Sequence, residues 1–329
     1  MAIVTGSTIT YGVGSAGGNR EDLEDVIWEL DPLETFCQST FDRVDGHATY
    51  HEWELDSLVA PATNRQIEGD SESYTSITSP SRAGNYMQIL FKQFLVSGTQ
   101  EVVAKAGRKS EIMRQTKKQM KELKNDFEYA IVRNQASSSG GSATARSMGS
   151  IESWIPTTDN SGNGVRATTS AAASTAAFGA GVVSAPTDGT TTGALTEAKF
   201  REMLQLAWMD GGKNNTILVE PTQKTAISAF SGIATKTTQI PNQKVRAVIQ
   251  ASAEFYVSEY GVHEIVMHRY VRASVVLAID PEYWALAFLR KPFMEKMAKT
   301  SDGEKVALRM EATLVSRNHN ANGKVVACA

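Results

Sequence analysis

Residues 98–136 limit the possible folds more than any other stretch of the chain. Met113, Thr116, Met120, Leu123, Phe127 and Ala130 recur at three- and four-residue spacings and make one apolar stripe. Arg114, Lys117, Lys121 and Lys124 recur on another face, where Glu111, Glu122 and Glu128 stand at helical spacing as ion partners. Thr99 fits an N-cap, with Glu101 in the first turn. No proline interrupts the run, and a Ser/Gly tract after Ala136 stops it. Read as one helix, the stretch would be roughly 55 Å long at about 1.5 Å per residue. A narrow stripe on so long a rod predicts a spine laid along a sheet.

The 329 residues can bury a sizeable core in one large or two ordinary domains. A formal charge of -3 and a pI near 6.0 exclude a globally basic nucleic-acid binder, though not a local basic face. Cys37 and Cys328 are the only cysteines, which fits a reducing compartment without a disulfide framework. The first residues lack a basic region followed by an apolar run, and no stretch has the length of a membrane span. A soluble product made in a cytoplasm, with no membrane partner, is expected.

Before the spine, residues 1–18 are rich in Gly, Ser and Thr and read as an arm. Asn19 then caps a short helix with Leu23, Val26, Ile27 and Leu30 on one face, ended by Asp31-Pro32. Residues 33–44 hold Leu33, Phe36, Phe41 and Val44 but no core of their own, so they must dock elsewhere. Residues 47–58 alternate as a strand does, and residues 85–96 do so in part. The polar stretch between them makes an extended hairpin, marginal alone and in need of a neighbour.

After the spine, residues 151–155 read as a short strand, and residues 156–193 form a low-complexity tract taken as a surface insertion. Residues 195–290 read as a compact α/β unit. Thr196 caps a helix stopped by Gly211-Gly212, and Pro221 opens another after a buried strand. Glu259-Tyr260-Gly261 marks a hairpin, and Asp280-Pro281-Glu282-Tyr283 a turn between apolar strands. Residues 305–317 then form a long strand that turns at 318–323 and returns as 324–328, a closing pair for the sheet under the spine.

This order, with several local motifs, resembles the major capsid proteins of tailed bacteriophages, which have the Hong Kong 97 type fold, an α+β class. The motifs are Asn19-Arg20-Glu21-Asp22-Leu23, Asp31-Pro32-Leu33-Glu34-Thr35, Thr49-Tyr50-His51-Glu52-Trp53 and Glu68-Gly69-Asp70. Ser97-Gly98-Thr99-Gln100-Glu101, residues 105–111, Asp280-Pro281-Glu282-Tyr283, residues 298–305 and Arg317-Asn318 continue the likeness. The resemblance implies an N-arm (1–46), an E-loop hairpin (47–97), a P-domain with spine helix (98–155 and 290–329) and an A-domain (195–289). Residues 156–194 are a family-variable insertion. It further implies pentamers and hexamers of this chain in an icosahedral head around double-stranded DNA, with a portal. The capsid-like motifs begin near Asn19, so a scaffolding protein is expected as a separate partner. An encapsulin-like compartment of the same fold is the alternative, and a soluble DNA-binding protein or hydrolase a more distant one.

The chemistry is sparse. His47 and His51 share a side of a strand but stand about 13 Å apart at 3.3 Å per residue, too far for one metal ion. No nucleophile elbow, P-loop, Cys-x-x-Cys or dinucleotide fingerprint occurs, so no enzyme, metal or cofactor is expected. The basic face (Arg108, Lys109, Arg114, Lys117, Lys121, Lys124) reads either as a solvated helix face or as an inner-face contact for packaged DNA. Trp28, Phe36, Phe41 and Trp53 are candidate interface aromatics, each equally able to anchor its own subunit. Glu52, Glu54, Arg65, Glu68 and Asp70 are candidates for setting the hairpin's register on a neighbour.

Overall fold

A computed structural model describes residues 30–69, 71, 74, 76–77, 79–155, 183–185, 193–230 and 254–328. The helix expected after Asn19, Trp28 within it, Asp70 and nearly all of the 156–193 tract lie outside the described residues.

The spine is two helices. A short α2 (Gly98–Val102) is capped by Ser97, whose hydroxyl accepts the Gln100 N–H, and Thr99 lies inside the turn. A 22-residue α3 (Glu111–Val132) follows, capped by Ser110 through the Met113 N–H. Gly107 breaks the rod between them with φ +69°, a left-handed turn open mainly to glycine. The Glu101 carboxylate accepts the Glu111 N–H at 2.9 Å, so the end of one helix caps the start of the next. At about 1.5 Å per residue α3 is roughly 33 Å long, shorter than the uninterrupted run implied.

The stripe buries only in its second half. Leu123, Phe127, Ala130 and Ile131 are buried, whereas Met113 is 64% exposed. Their partners lie on a four-stranded sheet ordered β1-β9-β10-β4, formed by β1 (Asp42–Asp45), β9 (Trp284–Lys296), β10 (Gly303–Ser316) and β4 (Gln88–Ser97). Leu90, Leu308, Met310 and Leu314 share one core with the helix. On β4 the alternation is plain: Leu90 and Val96 are buried, while Ile89, Phe91 and Leu95 are exposed on the other side.

The run at 85–96 proves to be two strands. β3 (Ser81–Tyr86) pairs with β2 (Tyr50–Leu55) as a separate hairpin, and β4 joins the spine sheet, with only Met87 between them. Residues 33–44 dock as expected: α1 (Phe36–Thr40) packs on α3, and β1 lies parallel to β9. Residues 151–155 form a helical turn, α4 (Ile151–Trp154), capped by Ser150, in place of the expected strand.

The second sheet has five strands, ordered β11-β8-β5-β7-β6. It contains β5 (Thr216–Val219), β6 (Phe255–Ser258), β7 (Gly261–Met267) and β8 (Val276–Ile279), with α5 (Glu197–Met209) and α6 (Pro221–Ser228). The Thr196 cap and the Gly211 stop, at φ +87°, stand where the sequence put them. Two strand assignments differ. β9, expected within the 195–290 unit, runs in the spine sheet beside β10. β11 (Gly323–Val325), expected to return on β10, pairs antiparallel with β8 instead. Asn322 explains that exit, because its Oδ1 accepts the Asp280 N–H at 2.9 Å and the Trp284 Nε1–H at 3.0 Å. These two bonds draw the chain across to the second sheet.

Candidate functional site: the assembly surfaces

The hairpin root is fixed by a residue that sequence reasoning passed over. Asn85 is fully buried. Its Nδ2 donates to the carbonyls of Leu314 (2.8 Å) and Gly149 (3.1 Å), and its Oδ1 accepts from Gly149 N–H (2.8 Å) and the Ser137 hydroxyl (2.9 Å). Both amide donors and both lone pairs are thus satisfied. Beyond Leu55 the hairpin's apolar side chains face outward: Leu58, Val59, Ile67 and Ile77 are each at least 78% exposed. Arg65 and Glu68 are exposed, Glu54 pairs loosely with Arg82 at 3.7 Å, and Glu52 is half-buried.

The candidate aromatics sit mainly against their own chain. Phe41 is buried and stacks on Trp284 at 6.2 Å between centroids. Trp53 is half-buried, 5.4 Å from Trp154, and Phe36 packs partly into the α3 core. Of the two roles left open for them, these three show packing within their own chain, against α3, α4 and the spine sheet.

Glu128 is likewise corrected. Expected as a surface ion partner of the basic face, it is buried instead. Its Oε1 accepts the Cys37 N–H at 2.5 Å and its Oε2 accepts the Gln38 N–H at 3.2 Å and Gln38 Nε2 at 2.9 Å. His268 completes the cluster. Its Nδ1 accepts the Tyr270 N–H at 3.2 Å, which leaves the proton on Nε2 to donate to Glu128 Oε1 at 3.2 Å. Ligand atoms of Cys37, Glu128 and His268 lie within 4.8 Å of one another, a composition that could suit a metal ion. The bonding favours a clasp. Burial first, and then Glu128, push the Cys37 thiol well above its ordinary pKa, and a protonated thiol is a poor ligand. The clasp joins the arm, α3 and the end of β7. Only long-range contact assembles it, so no sequence spacing could have shown it.

The basic face is partly neutralised. Glu111 is bracketed by Arg108 and Arg114, the latter bonding at 2.6 Å, and Lys118 reaches Glu122 at 3.9 Å. Lys109, Lys117, Lys121 and Lys124 are exposed. Residues 30–33 and the first half of α3 enclose an open groove of about 640 Å³ on this face.

The spine helix lies on a four-stranded sheet, beside the pinned hairpin and a second, five-stranded sheet. A family model of SU10 major capsid proteins matches residues 4–329, nearly the whole chain. The chain belongs to that family. It is a structural component of a phage capsid, its place is the virion, and it is not an enzyme. This capsid protein is 24% identical over 342 residues to the major capsid protein of Escherichia phage Phieco32, covering 95% of each chain. Its fold resembles the capsid of the native GTA particle, with TM-score 0.62 and 10% identity over 99% of this chain and 100% of that one. It also resembles the Cyanophage A-1(L) capsid, with TM-score 0.61 and 13% identity over 94% and 97%. The structural likenesses show the Hong Kong 97 type fold, and the family match disfavours the encapsulin-like alternative. Among the described residues no helix is long and apolar enough to cross a membrane.

Proposed function

We propose that copies of this capsid protein join as pentamers and hexamers into an icosahedral head around double-stranded DNA. The exposed apolar side chains of the hairpin carry this reading, since Leu58, Val59, Ile67 and Ile77 stand in solvent and a neighbouring copy would cover them. In this reading residues 50–86 are the E-loop, the sheet β1-β9-β10-β4 with α3 is the P-domain, and the five-stranded sheet is the A-domain. Trp28, Glu52, Glu54, Arg65, Glu68 and Asp70 then serve the contact between subunits. A separate scaffolding protein and a portal complete the assembly. The basic residues of α3 supply weak, sequence-blind contact to the genome only where Glu111 and Glu122 leave them charge to offer.

The test is expression of the chain alone and with its phage's scaffolding protein, followed by negative-stain imaging, light scattering and nuclease treatment. Uniform shells or capsomer rings are expected, and particles from infection should protect double-stranded DNA. A monomer under both expression conditions overturns the assembly reading, and particles holding protein cargo without DNA overturn the genome reading.

A further inference from the structure

The groove between residues 30–33 and the first half of α3 joins a basic rim to an apolar floor. We propose that it is a docking site for an acidic, amphipathic helix of a partner protein. The proposal concerns this groove alone and does not depend on the shell reading.

The first observation is charge. Lys109 and Lys117 are exposed and, among the described residues, have no carboxylate partner. Arg108 and Arg114 share the one carboxylate of Glu111, so their charge is only half offset. Glu122, on the groove wall, is itself reached by Lys92 and Lys118, each at 3.9 Å. The rim is left with surplus positive charge, which complements an acidic partner.

The second is the apolar floor. Leu33 and Met113 line the same groove and are 47% and 64% exposed. Met113 stands one helical turn before Lys117, so apolar and basic groups follow each other along one face of α3. Phosphate would answer the lysines and leave Leu33 and Met113 in water. A helix with an apolar stripe between acidic flanks answers both.

The third is form. The Glu34 N–H donates to Asn125 Oδ1 at 3.0 Å, and Asn125 Nδ2 donates to the Pro32 carbonyl at 3.3 Å. These bonds hold the wall of residues 30–33 against α3. The groove of about 640 Å³ is therefore formed before binding, and little ordering is left to oppose it. From residue 111 to residue 125 the α3 axis runs roughly 21 Å, room for about four turns of a docked helix.

The probe is a fluorescent peptide of about 16 residues, with leucines at three- and four-residue spacings between glutamates. A shuffled peptide of the same composition keeps the charge and loses the stripe. Fluorescence anisotropy is read on the unassembled full chain at low salt. The striped peptide should bind at least about tenfold more tightly than the shuffled one. Met113→Gln should remove most of that advantage. Lys109→Gln with Lys117→Gln should weaken the striped peptide by about tenfold and flatten its salt dependence. All three side chains are exposed, so the variants should melt as the wild type does. Equal binding of the two peptides marks a site for any polyanion, the result expected of nucleic acid, and overturns the proposal. No binding of the striped peptide overturns it too, as does an affinity unchanged by Met113→Gln.

Discussion

Glu128 is a fully buried carboxylate, held by the N–H groups of Cys37 and Gln38, the Gln38 amide and His268. Hydrogen bonds to an ionised group are worth about 1.5–3 kcal/mol each, and removing one partner leaves buried donors without acceptors. Glu128→Gln should therefore destabilise the fold by about 2–4 kcal/mol, and protease cleavage should begin near α1 before the core is attacked. Urea unfolding and limited proteolysis measure both. Glu111 gives a pH-dependent effect. Hydrogen bonds from Arg114 first, with Gln115 and Arg108, hold its carboxyl at about 2, well below the ordinary range of a glutamate. A depressed folded pKa adds stability above the unfolded value, and that stability is lost as pH falls through the folded one. With solvent screening the effect is about 1 kcal/mol. The stability advantage of wild type over Glu111→Gln should thus be full near pH 6 and vanish towards pH 2 in acid-urea titrations.

Among the elements, helix caps and glycine stops were legible because their signals are local: Thr196 and Gly211 stand where their chemistry demands. The break at Gly107 was not, because the residues around it keep a good helical composition and only the glycine's φ reveals the turn. The split at Met87 escaped for a similar reason. Period-two alternation continues across it, so the pattern says strand on both sides and nothing about which sheet receives each part. Partner choice is a long-range property, and β9 and β11 were misplaced by the same limit. The hairpin as an element also carries a prediction. Reversing charge at Glu68 and Asp70 together should abolish most particle yield while the chain stays soluble, since Glu68 is exposed and belongs to no core. Particle counts by imaging against soluble protein would check it, and normal particles would refute the register role.

At the scale of the whole molecule, the last strand binds the two sheets to each other. β10 ends in the spine sheet and β11 begins in the other, and Lys324, fully buried, donates to the Glu152 carbonyl at 2.7 Å. Glu152 is itself bonded to Arg272. Deleting residues 323–329 would strip the edge from β8 and leave that carbonyl unsatisfied, so the truncated chain should collect in the insoluble fraction. A soluble, cooperatively melting truncate would show that the sheets hold together without it. The family resemblance was readable from motifs along the whole chain, yet the residues that set its rigidity, Asn85, Glu128 and Lys324, carry no motif. Each is a polar group whose role exists only once distant backbone closes around it.

Met87 gives the hairpin its mechanics. A single buried residue separates a strand of the hairpin from a strand of the spine sheet, and Asn85 bolts the near side to two other segments. The arm is a lever without a free pivot. Force applied at its tip is transmitted into the sheet as torque, so a subunit pulled by its neighbour turns as one body.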